Sequence, residues 1–441
     1  MGLRMQANKI FIETYGCQMN EYDTELVKTI LTQQDYTLVK EERQADIVML
    51  NTCSVRENAN RKIYGRIHEI RHERQGKPVL IGILGCMATN FRKALLDDPH
   101  LGIDFIAGPD SYKQLPTLIH EVSQQGQKSF DVTLSEFETY SDITPTRKDG
   151  VNAWLAIMRG CNNFCSFCVV PYTRGRERSR DPHNIVQEVE KLVQEGFTQV
   201  TLLGQNVNSY RYEDSDFTDL MKMVSDVKGI KRIRYTSPHP KDFPIKLLRL
   251  MAERPNICKQ VHMPLQAGSN RILDKMNRTY TQAEFLNLVA QAREIIPNIA
   301  VSTDIIVGFP GETDEEFEDT VKVVEASQFD FAFIFKYSPR QNTLADRKYP
   351  DDVSAEEKAR RTIRLNDVQR AISHQKNLAH VGEIHEVLIE QESSKKSPDD
   401  FKGRNDANKI VIFPAGPYKA GAYISIKITD ATTNVLKGIP V

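Results

Sequence analysis

Three cysteines on one short loop constrain this chain of 441 residues more than any other feature. Cys161, Cys165 and Cys168 have the spacing C-x3-C-x2-C, with no fourth cysteine nearby. Three thiolates so close in sequence can hold three irons of a cubane 4Fe-4S cluster, which leaves the fourth iron open to a small ligand. The alternative is a zinc knuckle, which needs a fourth Cys or His at short spacing, and the first histidine after the loop is His183. The spacing therefore favours an iron–sulfur cluster.

A second set of three cysteines shares one sequence context. Cys17, Cys53 and Cys86 each follow a strand-like run, and helical patterns separate these runs, which lie at 9–14, 46–50 and 79–84. Strands that alternate with helices predict a doubly wound parallel sheet, whose carboxyl-terminal strand ends share one edge. Three thiolates would then meet without a competing nitrogen or oxygen ligand, which again suggests a cubane cluster with one open iron. The alternative is that these are ordinary packing cysteines.

The composition is that of a globular chain of about two to four domains. A net charge of −1 does not draw the whole molecule to nucleic acid, so any RNA site must be a local patch. No apolar run approaches a membrane span, and the start of the chain is too short and polar for a signal peptide. We therefore expect a cytoplasmic monomer with no membrane segment. Seven cysteines is an odd count, which favours metal ligation over disulfides, and Cys258, without a partner motif, is expected to be an inert buried thiol.

The alternation of strands and helices continues through the middle of the chain and gives about six βα units. The strand-like runs lie at 154–158, 199–203, 232–235, 260–262, 300–307 and 330–335. This pattern predicts an α/β fold with a partial (βα)6 barrel, in which chemistry takes place at the carboxyl ends of the strands. Polar residues and glycines follow several of these strands, although ordinary turn and cap residues would look the same.

The last part of the chain reads as a charged helix followed by short strands. The helix covers 354–379, and the strands cover 384–389, 409–413, 422–429 and 435–439. Gly, Pro and Asn residues separate the strands, which predicts a small antiparallel β-barrel. Such barrels are common nucleic-acid binders.

Several runs of residues resemble the radical S-adenosylmethionine (SAM) methylthiotransferases. The resemblance lies in Tyr15–Asp23, Asn51–Ala59 and Cys161–Arg180, and the end of the chain is similar to a TRAM domain. Gln18 and Met19 beside the first cysteine are similar to the tRNA branch that makes 2-methylthio-N6-isopentenyladenosine, rather than to the branches that act on a ribosomal protein or on threonylcarbamoyl-adenosine. One departure is that Gln341 and Asn342 stand where the family often has Pro-Gly, but Asn342 tolerates a left-handed turn.

The resemblance implies an enzyme with two 4Fe-4S clusters that uses SAM and an external electron donor. A radical SAM cluster would be held by Cys161, Cys165 and Cys168, and an auxiliary cluster by Cys17, Cys53 and Cys86. The substrate would be isopentenylated adenosine at position 37 of tRNA, and no side chain is expected to act as acid or base. Two alternatives are methylthiolation of a ribosomal-protein side chain and a non-catalytic iron–sulfur protein that binds RNA. The implied division is an N-terminal methylthiotransferase domain at 8–125, a linker at 126–150, a radical SAM barrel at 151–378 and a TRAM domain at 379–441.

The resemblance also favours particular contact residues. SAM is expected to contact residues that follow the barrel strands or the cysteine loop, namely Phe167, Gln205, Ser237, Gln266, Asp304 and Gly308. Four arginines occur in seven residues directly after the loop, and arginines suit phosphate contact, although such a run is more often a solvated face. The residues expected to contact tRNA are Arg174, Arg176, Arg178, Lys402, Arg404 and Lys409.

Overall fold

The structure, a computed structural model, describes residues 8–54, 57–74, 76–147, 150–393 and 397–441, and only the backbone of 57–61. It consists of a parallel sheet, a partial barrel and a small closed barrel, in that order along the chain. The predicted α/β fold class, with a small β-barrel at the end of the chain, is therefore confirmed. Among the described residues, no helix has the length and apolar character needed to span a bilayer.

The N-terminal part is a six-stranded sheet in which every neighbouring pair is parallel, in the order β2-β1-β3-β4-β5-β6. Alternate residues of its central strand point to opposite faces, as strand geometry requires: Ile47 and Met49 join one core, and Val48 and Leu50 join the other. Its strands and helices are β1 Lys9–Tyr15, α1 Gln18–Thr32, β2 Thr37–Leu38, β3 Ile47–Thr52, α2 Glu57–Glu73, β4 Leu80–Gly85, α3 Cys86–Phe91, α4 Lys93–Asp97, β5 Phe105–Ala107, α5 Leu115–Gln125 and β6 Ser129–Asp131. Strand β6 lies in the span predicted as a linker, so the sheet extends further than its sequence pattern indicated.

The central part is a partial barrel of six parallel strands in two hydrogen-bonded groups, β13-β10-β7 and β14-β15-β16. Two of its helices, Gln282–Ile295 and Asp314–Ser327, begin directly after capping residues. Thr281 and Thr313 each form a capping box with a glutamate three residues later. The elements are β7 Asn152–Ala156, β8 Met158–Arg159, α6 Val170–Thr173, β9 Arg178–Ser179, α7 Pro182–Gln194, β10 Gln199–Leu203, β11 Arg211–Tyr212, β12 Ser215–Asp216, α8 Phe217–Ser225, β13 Arg232–Tyr235, α9 Ile245–Glu253, β14 Gln260–His262, α10 Asn270–Lys275, α11 Gln282–Ile295, β15 Ala300–Val307, α12 Asp314–Ser327, β16 Phe331–Lys336, α13 Leu344–Lys348 and α14 Ala355–Leu378.

The C-terminal part is a closed five-stranded barrel in the order β17-β18-β19-β21-β20. Its strands are β17 Ile384–Gln391, β18 Asp400–Arg404, β19 Ile410–Pro414, β20 Tyr423–Ala431 and β21 Val435–Pro440. Four of these strands were predicted, and β18 was not. The pairing is antiparallel except between β19 and β21, which are parallel.

The small barrel is attached to the amino-terminal end of the partial barrel. Arg232 and Arg234 on β13 donate hydrogen bonds to the backbone carbonyls of Arg404, at 2.7 Å, and Asn405, at 2.7 Å. Lys409 forms an ion pair with Asp330, just before β16, at 2.8 Å. The opposite, carboxyl-terminal end of the partial barrel is therefore the one left for the cysteine loop.

Candidate active site

Cys161, Cys165 and Cys168 lie on a loop, residues 160–168, that follows β8 and is called here the cluster loop. Gly160 has φ +79°, and a Cβ there would lie 1.9 Å from the carbonyl oxygen of Arg176, so glycine is required for this close approach. The amide of Gly160 donates to Gln205 Oε1 at 2.6 Å. The amide of Cys168 donates to the carbonyl of Cys165 at 2.9 Å. These bonds hold the three thiols on one compact turn.

A buried guanidinium lies against the cluster loop. Arg278 Nη1 donates to Cys165 Sγ at 3.3 Å, and its other nitrogens donate to Tyr280 Oη and the carbonyl of Pro264. Burial raises the pKa of Cys161 to about 11 and that of Cys168 to about 12. A metal cluster must therefore displace protons here, as thiolate ligation generally does. Three sulfur donors beside a fixed positive charge fit a 4Fe-4S cluster with one open iron.

Cys17, Cys53 and Cys86, called here the rim thiols, lie just beyond β1, β3 and β4 at one edge of the N-terminal sheet. The structure brings them together, with the thiols of Cys17 and Cys53 within hydrogen-bonding range and Cys86 close enough to interact with Cys17. The hydrogen bond from Cys53 lowers the pKa of Cys17 to about 6. Burial raises the pKa of Cys86. Cys17 is exposed, whereas Cys53 and Cys86 are buried.

Two asparagines fix the turns that carry the rim thiols. Asn20 Nδ2 donates to Asn51 Oδ1 at 3.0 Å, and Asn20 Oδ1 accepts from the amide of Cys17 at 3.3 Å. Gly85, before Cys86, has φ +86°, and a Cβ there would lie 2.6 Å from Asn51 Oδ1. The chain thus supplies a second set of three sulfur donors on fixed backbone, which also fits a 4Fe-4S cluster.

A buried ionic cluster joins the two groups of cysteines. Asp23 on α1 is fully buried and pairs with Arg159 Nη2 at 2.7 Å and Arg174 Nη2 at 2.8 Å. Arg174 Nε in turn donates to Cys86 Sγ at 3.2 Å. Burial alone would raise the pKa of Asp23, but the two guanidiniums outweigh it and hold that pKa below its ordinary value. The cluster therefore stays charged and connects the N-terminal sheet to the partial barrel.

The arginine run after the cluster loop is mostly buried, rather than forming the solvated face that such runs more often form. Arg174 is 3% exposed, and Arg178 is 7% exposed and pairs with Asp110 at 2.9 Å. Both guanidiniums pair with carboxylates of the N-terminal part, Asp23 and Asp110, and their predicted phosphate contacts stay predictions. Arg176 is exposed, with its guanidinium 4.4 Å from the ring centre of Phe164. The predicted phosphate contact stays a prediction for Arg176.

The three C-terminal residues expected to bind tRNA differ in their surroundings. Lys402 on β18 is half-buried. Arg404 pairs with Glu390 at 3.2 Å and lines one end of a cavity. Lys409 pairs with Asp330 and also donates to Asn377 Oδ1 at 2.8 Å, so its charge serves the contact between the barrels. The tRNA contacts expected of Lys402, Arg404 and Lys409 all stay predictions.

A cavity of about 950 Å³ runs inside the partial barrel, from the cluster loop to the small barrel. Gln18, which follows Cys17, and Cys168 both line it, so the cavity extends from the cluster loop to the residue beside the first rim thiol. The expected SAM contacts divide into two groups. The four that line the cavity are Phe167, Ser237, Gln266 and Asp304.

Gln205 and Gly308 lie outside the residues that line this cavity, each with a structural role. Gln205 holds the backbone of the cluster loop, as described above. Gly308 has φ +69°, donates its amide to Glu312 Oε2 at 2.6 Å, and packs so closely that a Cβ would lie 2.4 Å from Lys358 Cγ. Of the six residues expected to contact SAM, four therefore line the cavity in the part of the chain that the structure describes.

Two lining residues hold backbone conformations that side chains rarely adopt. Ser237 has φ +59° and Gln266 has φ +69°. Such strain persists only where the surroundings fix it, and it concentrates at functional sites. Asn342 also has a positive φ, +75°, so the predicted left-handed turn at the departure from Pro-Gly is confirmed.

One wall of the cavity is aromatic, a feature that the sequence reasoning missed. Phe333 and Phe335 on β16 line the cavity, are 44% and 37% exposed, and stack with ring centres 6.4 Å apart. Phe331, on the same face of the strand, is 42% exposed but does not line the cavity. The alternation Phe-Ala-Phe-Ile-Phe in the sequence could have predicted this wall, since it places the three rings on one face of a strand.

Family models match the chain in three places. Residues 155–324 match the Radical SAM superfamily, residues 9–108 match Uncharacterized protein family UPF0004, and residues 379–441 match the TRAM domain.

Curated relatives match over nearly the whole chain and share one name, tRNA-2-methylthio-N(6)-dimethylallyladenosine synthase. The relative from Chloroherpeton thalassium is 45% identical and covers 98% of this chain and 96% of its own length. The relative from Porphyromonas gingivalis is 44% identical, and the match covers 98% of this chain and 95% of the relative. The relative from Bacteroides fragilis is 42% identical, with 98% and 95% covered.

Among solved structures, the chain is similar to the radical S-adenosylmethionine methyltransferase TsrM from Kitasatospora setae, with cobalamin and a 4Fe-4S cluster bound. The TM-score is 0.58 at 15% identity, and the match covers 77% of this chain and 74% of that one. At this identity the likeness shows the fold alone.

Proposed function

The chain belongs to the family of the tRNA-2-methylthio-N(6)-dimethylallyladenosine synthases. We propose that it adds a methylthio group to C2 of N6-isopentenyladenosine in tRNA. Isopentenyl and dimethylallyl name the same group here. The observation that carries this proposal is the shared cavity. Gln18, beside the first rim thiol, and Cys168, the last thiol of the cluster loop, line one space of about 950 Å³. We infer that a single adenine in that space can approach the cluster loop and the turn that carries Cys17.

The chemistry that the two clusters supply when bound is one-electron cleavage of SAM at one site and a sulfur atom at the other. Overall, the C2–H bond of the adenine is replaced by a C2–S bond. The methyl group on that sulfur comes from one SAM, and the hydrogen leaves in 5′-deoxyadenosine, formed with methionine from a second SAM. The SAM that gives its methyl group leaves as S-adenosylhomocysteine. The electron that starts cleavage of the second SAM comes from an external donor and is returned when a sulfide-level sulfur forms the C2–S bond, so the exchange consumes no net electron. Because the C2–H bond is not acidic, no side chain is needed as a general base.

The chain's own residues position the reactants. Each group of three thiols leaves one position open for a small ligand. We assign SAM to the cavity near the cluster loop, where Phe167, Ser237, Gln266 and Asp304 line the wall. Asp304 Oδ2 also lies 3.3 Å from His262 Nε2. His262 lines the same wall of the cavity and was not predicted from the sequence.

We assign the isopentenyl group of the substrate to the aromatic wall formed by Phe333 and Phe335. Both rings are partly exposed inside a cavity that is otherwise lined by many polar groups. Burying apolar carbon contributes about 0.8 kcal/mol per methylene. An aromatic wall therefore gives an isopentenylated adenosine an advantage that an unmodified adenosine lacks.

Three further properties are part of the proposal. Exposed Arg176, with Lys402 and Arg404, would contact tRNA phosphates. One chain supplies both groups of cysteines and the cavity between them, which supports a monomeric enzyme. Thiolate ligands persist in a reducing compartment, which supports a cytoplasmic location.

The substrate assignment predicts that Phe333→Ala weakens selection for isopentenylated tRNA. We expect kcat/KM for isopentenylated tRNA to fall about tenfold, equivalent to about 1.4 kcal/mol, because the prenyl group loses part of its apolar wall. The rate with the unmodified transcript of the same tRNA, already low, should change little. The measurement is methylthio product by nucleoside mass spectrometry under anaerobic conditions with SAM and a reductant.

Phe331→Ala is the matched control, because Phe331 lies on the same strand with similar exposure but does not line the cavity. This variant should keep the preference of the unaltered enzyme for isopentenylated over unmodified tRNA. An equal loss of preference in both variants, or none in Phe333→Ala, would contradict the aromatic-wall assignment. Turnover of a ribosomal protein instead of tRNA would contradict the proposed function itself.

A further inference from the structure

Arg174 is placed between the rim thiols and a carboxylate, and part of its guanidinium has no partner. Its Nε donates to Cys86 Sγ at 3.2 Å, and its Nη2 donates to Asp23 Oδ2 at 2.8 Å. Its Nη1 is buried without a hydrogen-bond partner among the described residues. A guanidinium carries five N–H donors, and a buried donor left unpaired is unfavourable. Nη1, on the guanidinium whose Nε contacts Cys86, is therefore a donor whose acceptor the described residues do not supply.

The surroundings of Arg174 hold it in one orientation with an excess positive charge. Asp23 carries one negative charge and contacts both Arg159 and Arg174, so the three side chains together carry one net positive charge. Arg159 also has buried nitrogens without a hydrogen-bond partner among the described residues, Nε and Nη1, but its guanidinium lies 4.6 Å from the ring centre of Tyr140. The guanidinium of Arg174 is thus the one of this pair that meets a rim-thiol sulfur.

We propose that Arg174 is a positioning residue for sulfur transfer, whose Nε orients Cys86 and whose Nη1 donates to an anionic sulfur ligand, of the thiolate class, at the open iron of the auxiliary cluster. This inference rests on the proposed function for the identity of the sulfur. Asp23 fixes the guanidinium from the other side. The arrangement resembles that at the cluster loop, where Arg278 contacts Cys165, but there every nitrogen of the guanidinium has a partner on the chain.

A positive charge and a donor beside a cluster affect two measurable properties. Reduction adds negative charge, so a nearby guanidinium raises the reduction potential, as do hydrogen bonds to the sulfurs. An anionic ligand at the open iron is also stabilised by a charge-assisted hydrogen bond. Both effects can be observed without tRNA or turnover.

The test uses the full chain with Cys161, Cys165 and Cys168 changed to alanine, so that only the auxiliary cluster is observed after anaerobic reconstitution. The probe is sodium methanethiolate, followed by electron paramagnetic resonance. We expect Arg174→Gln to hold about four irons per chain but to bind methanethiolate at least about tenfold more weakly. We also expect its midpoint potential to fall by about 59 mV, the value of a tenfold shift in a one-electron couple.

Arg178→Lys in the same background is the control, because Arg178 is buried and ion-paired nearby but contacts Asp110 rather than a thiol. This variant should keep the affinity for methanethiolate and the midpoint potential of the auxiliary cluster. If Arg174→Gln does not retain iron, Arg174→Lys replaces it. That variant keeps the charge, but its single ammonium cannot meet Asp23, Cys86 and a ligand together, so methanethiolate should still bind more weakly.

Unchanged methanethiolate affinity in an iron-loaded Arg174 variant would overturn the inference, as would an equal loss in Arg178→Lys. These outcomes do not depend on tRNA. Failure of the proposed tRNA reaction would therefore be distinguishable from failure of the role assigned to Arg174.

Discussion

Cys165→Ala is expected to reduce formation of 5′-deoxyadenosine from SAM to the background level of the reductant alone. The cluster loop offers three thiols, and Cys165 is the one that Arg278 contacts, at 3.3 Å. Removing one of three ligands takes away the site at which SAM is cleaved. The measurement is quantification of 5′-deoxyadenosine after anaerobic incubation with SAM and dithionite.

Cys53→Ala separates the two halves of the proposed reaction. Because Cys53 belongs to the rim thiols and not to the cluster loop, this variant should still form 5′-deoxyadenosine but no methylthio nucleoside. Cys258→Ala is the control, since Cys258 is buried at the other end of the barrel, and it should retain both products. Methylthio product at the unaltered rate from Cys53→Ala would contradict the role assigned to the rim thiols.

Asp23→Asn is expected to lower the apparent melting temperature by about 10 °C. The change leaves Arg159 and Arg174, both nearly inaccessible, without their shared negative partner. Breaking one side of a buried ion pair costs about 3–5 kcal/mol, and about 1 kcal/mol moves the melting temperature by about 2–4 °C in domains of this size. Thermal unfolding followed by circular dichroism on the anaerobically purified protein measures the shift.

Asp226→Asn provides the matched control for that destabilisation. Asp226 pairs with Arg254 at the surface, where the side chains are 52% and 31% exposed. Exposed pairs contribute about 0–1 kcal/mol, so its melting temperature should fall by no more than a few degrees. Similar shifts in both variants would show that the buried ionic cluster does not join the two parts of the protein as described.

The sequence predicted features that depend on local spacing and failed where distant residues meet. The strands before Cys53 and Cys86 were predictable because apolar runs mark strands buried on both faces. Strand β18 was missed because its sequence, Asp400–Arg404, carries charged residues and a glycine and reads as a turn.

The arginine run shows most clearly what the sequence could not reveal. A cluster of arginines after the cluster loop is equally compatible with bound phosphate and with buried carboxylates. The carboxylates that pair with these arginines lie far away in the chain, since Asp23 is 151 residues from Arg174 and Asp110 is 68 residues from Arg178. Periodicity and spacing carry no information about such pairs. Asp23, Arg159 and Arg278 were missed for the same reason.

The most direct test of the central claim follows the hydrogen at C2 of the target adenine. Isopentenylated tRNA carrying deuterium at C2 of that adenosine would be incubated anaerobically with the reconstituted enzyme, SAM and a reductant. If one adenine in the shared cavity approaches both groups of cysteines, 5′-deoxyadenosine should gain deuterium and the methylthio nucleoside should have lost it. Methylthio product with no deuterium in 5′-deoxyadenosine, or 5′-deoxyadenosine without any methylthio nucleoside, would contradict the account.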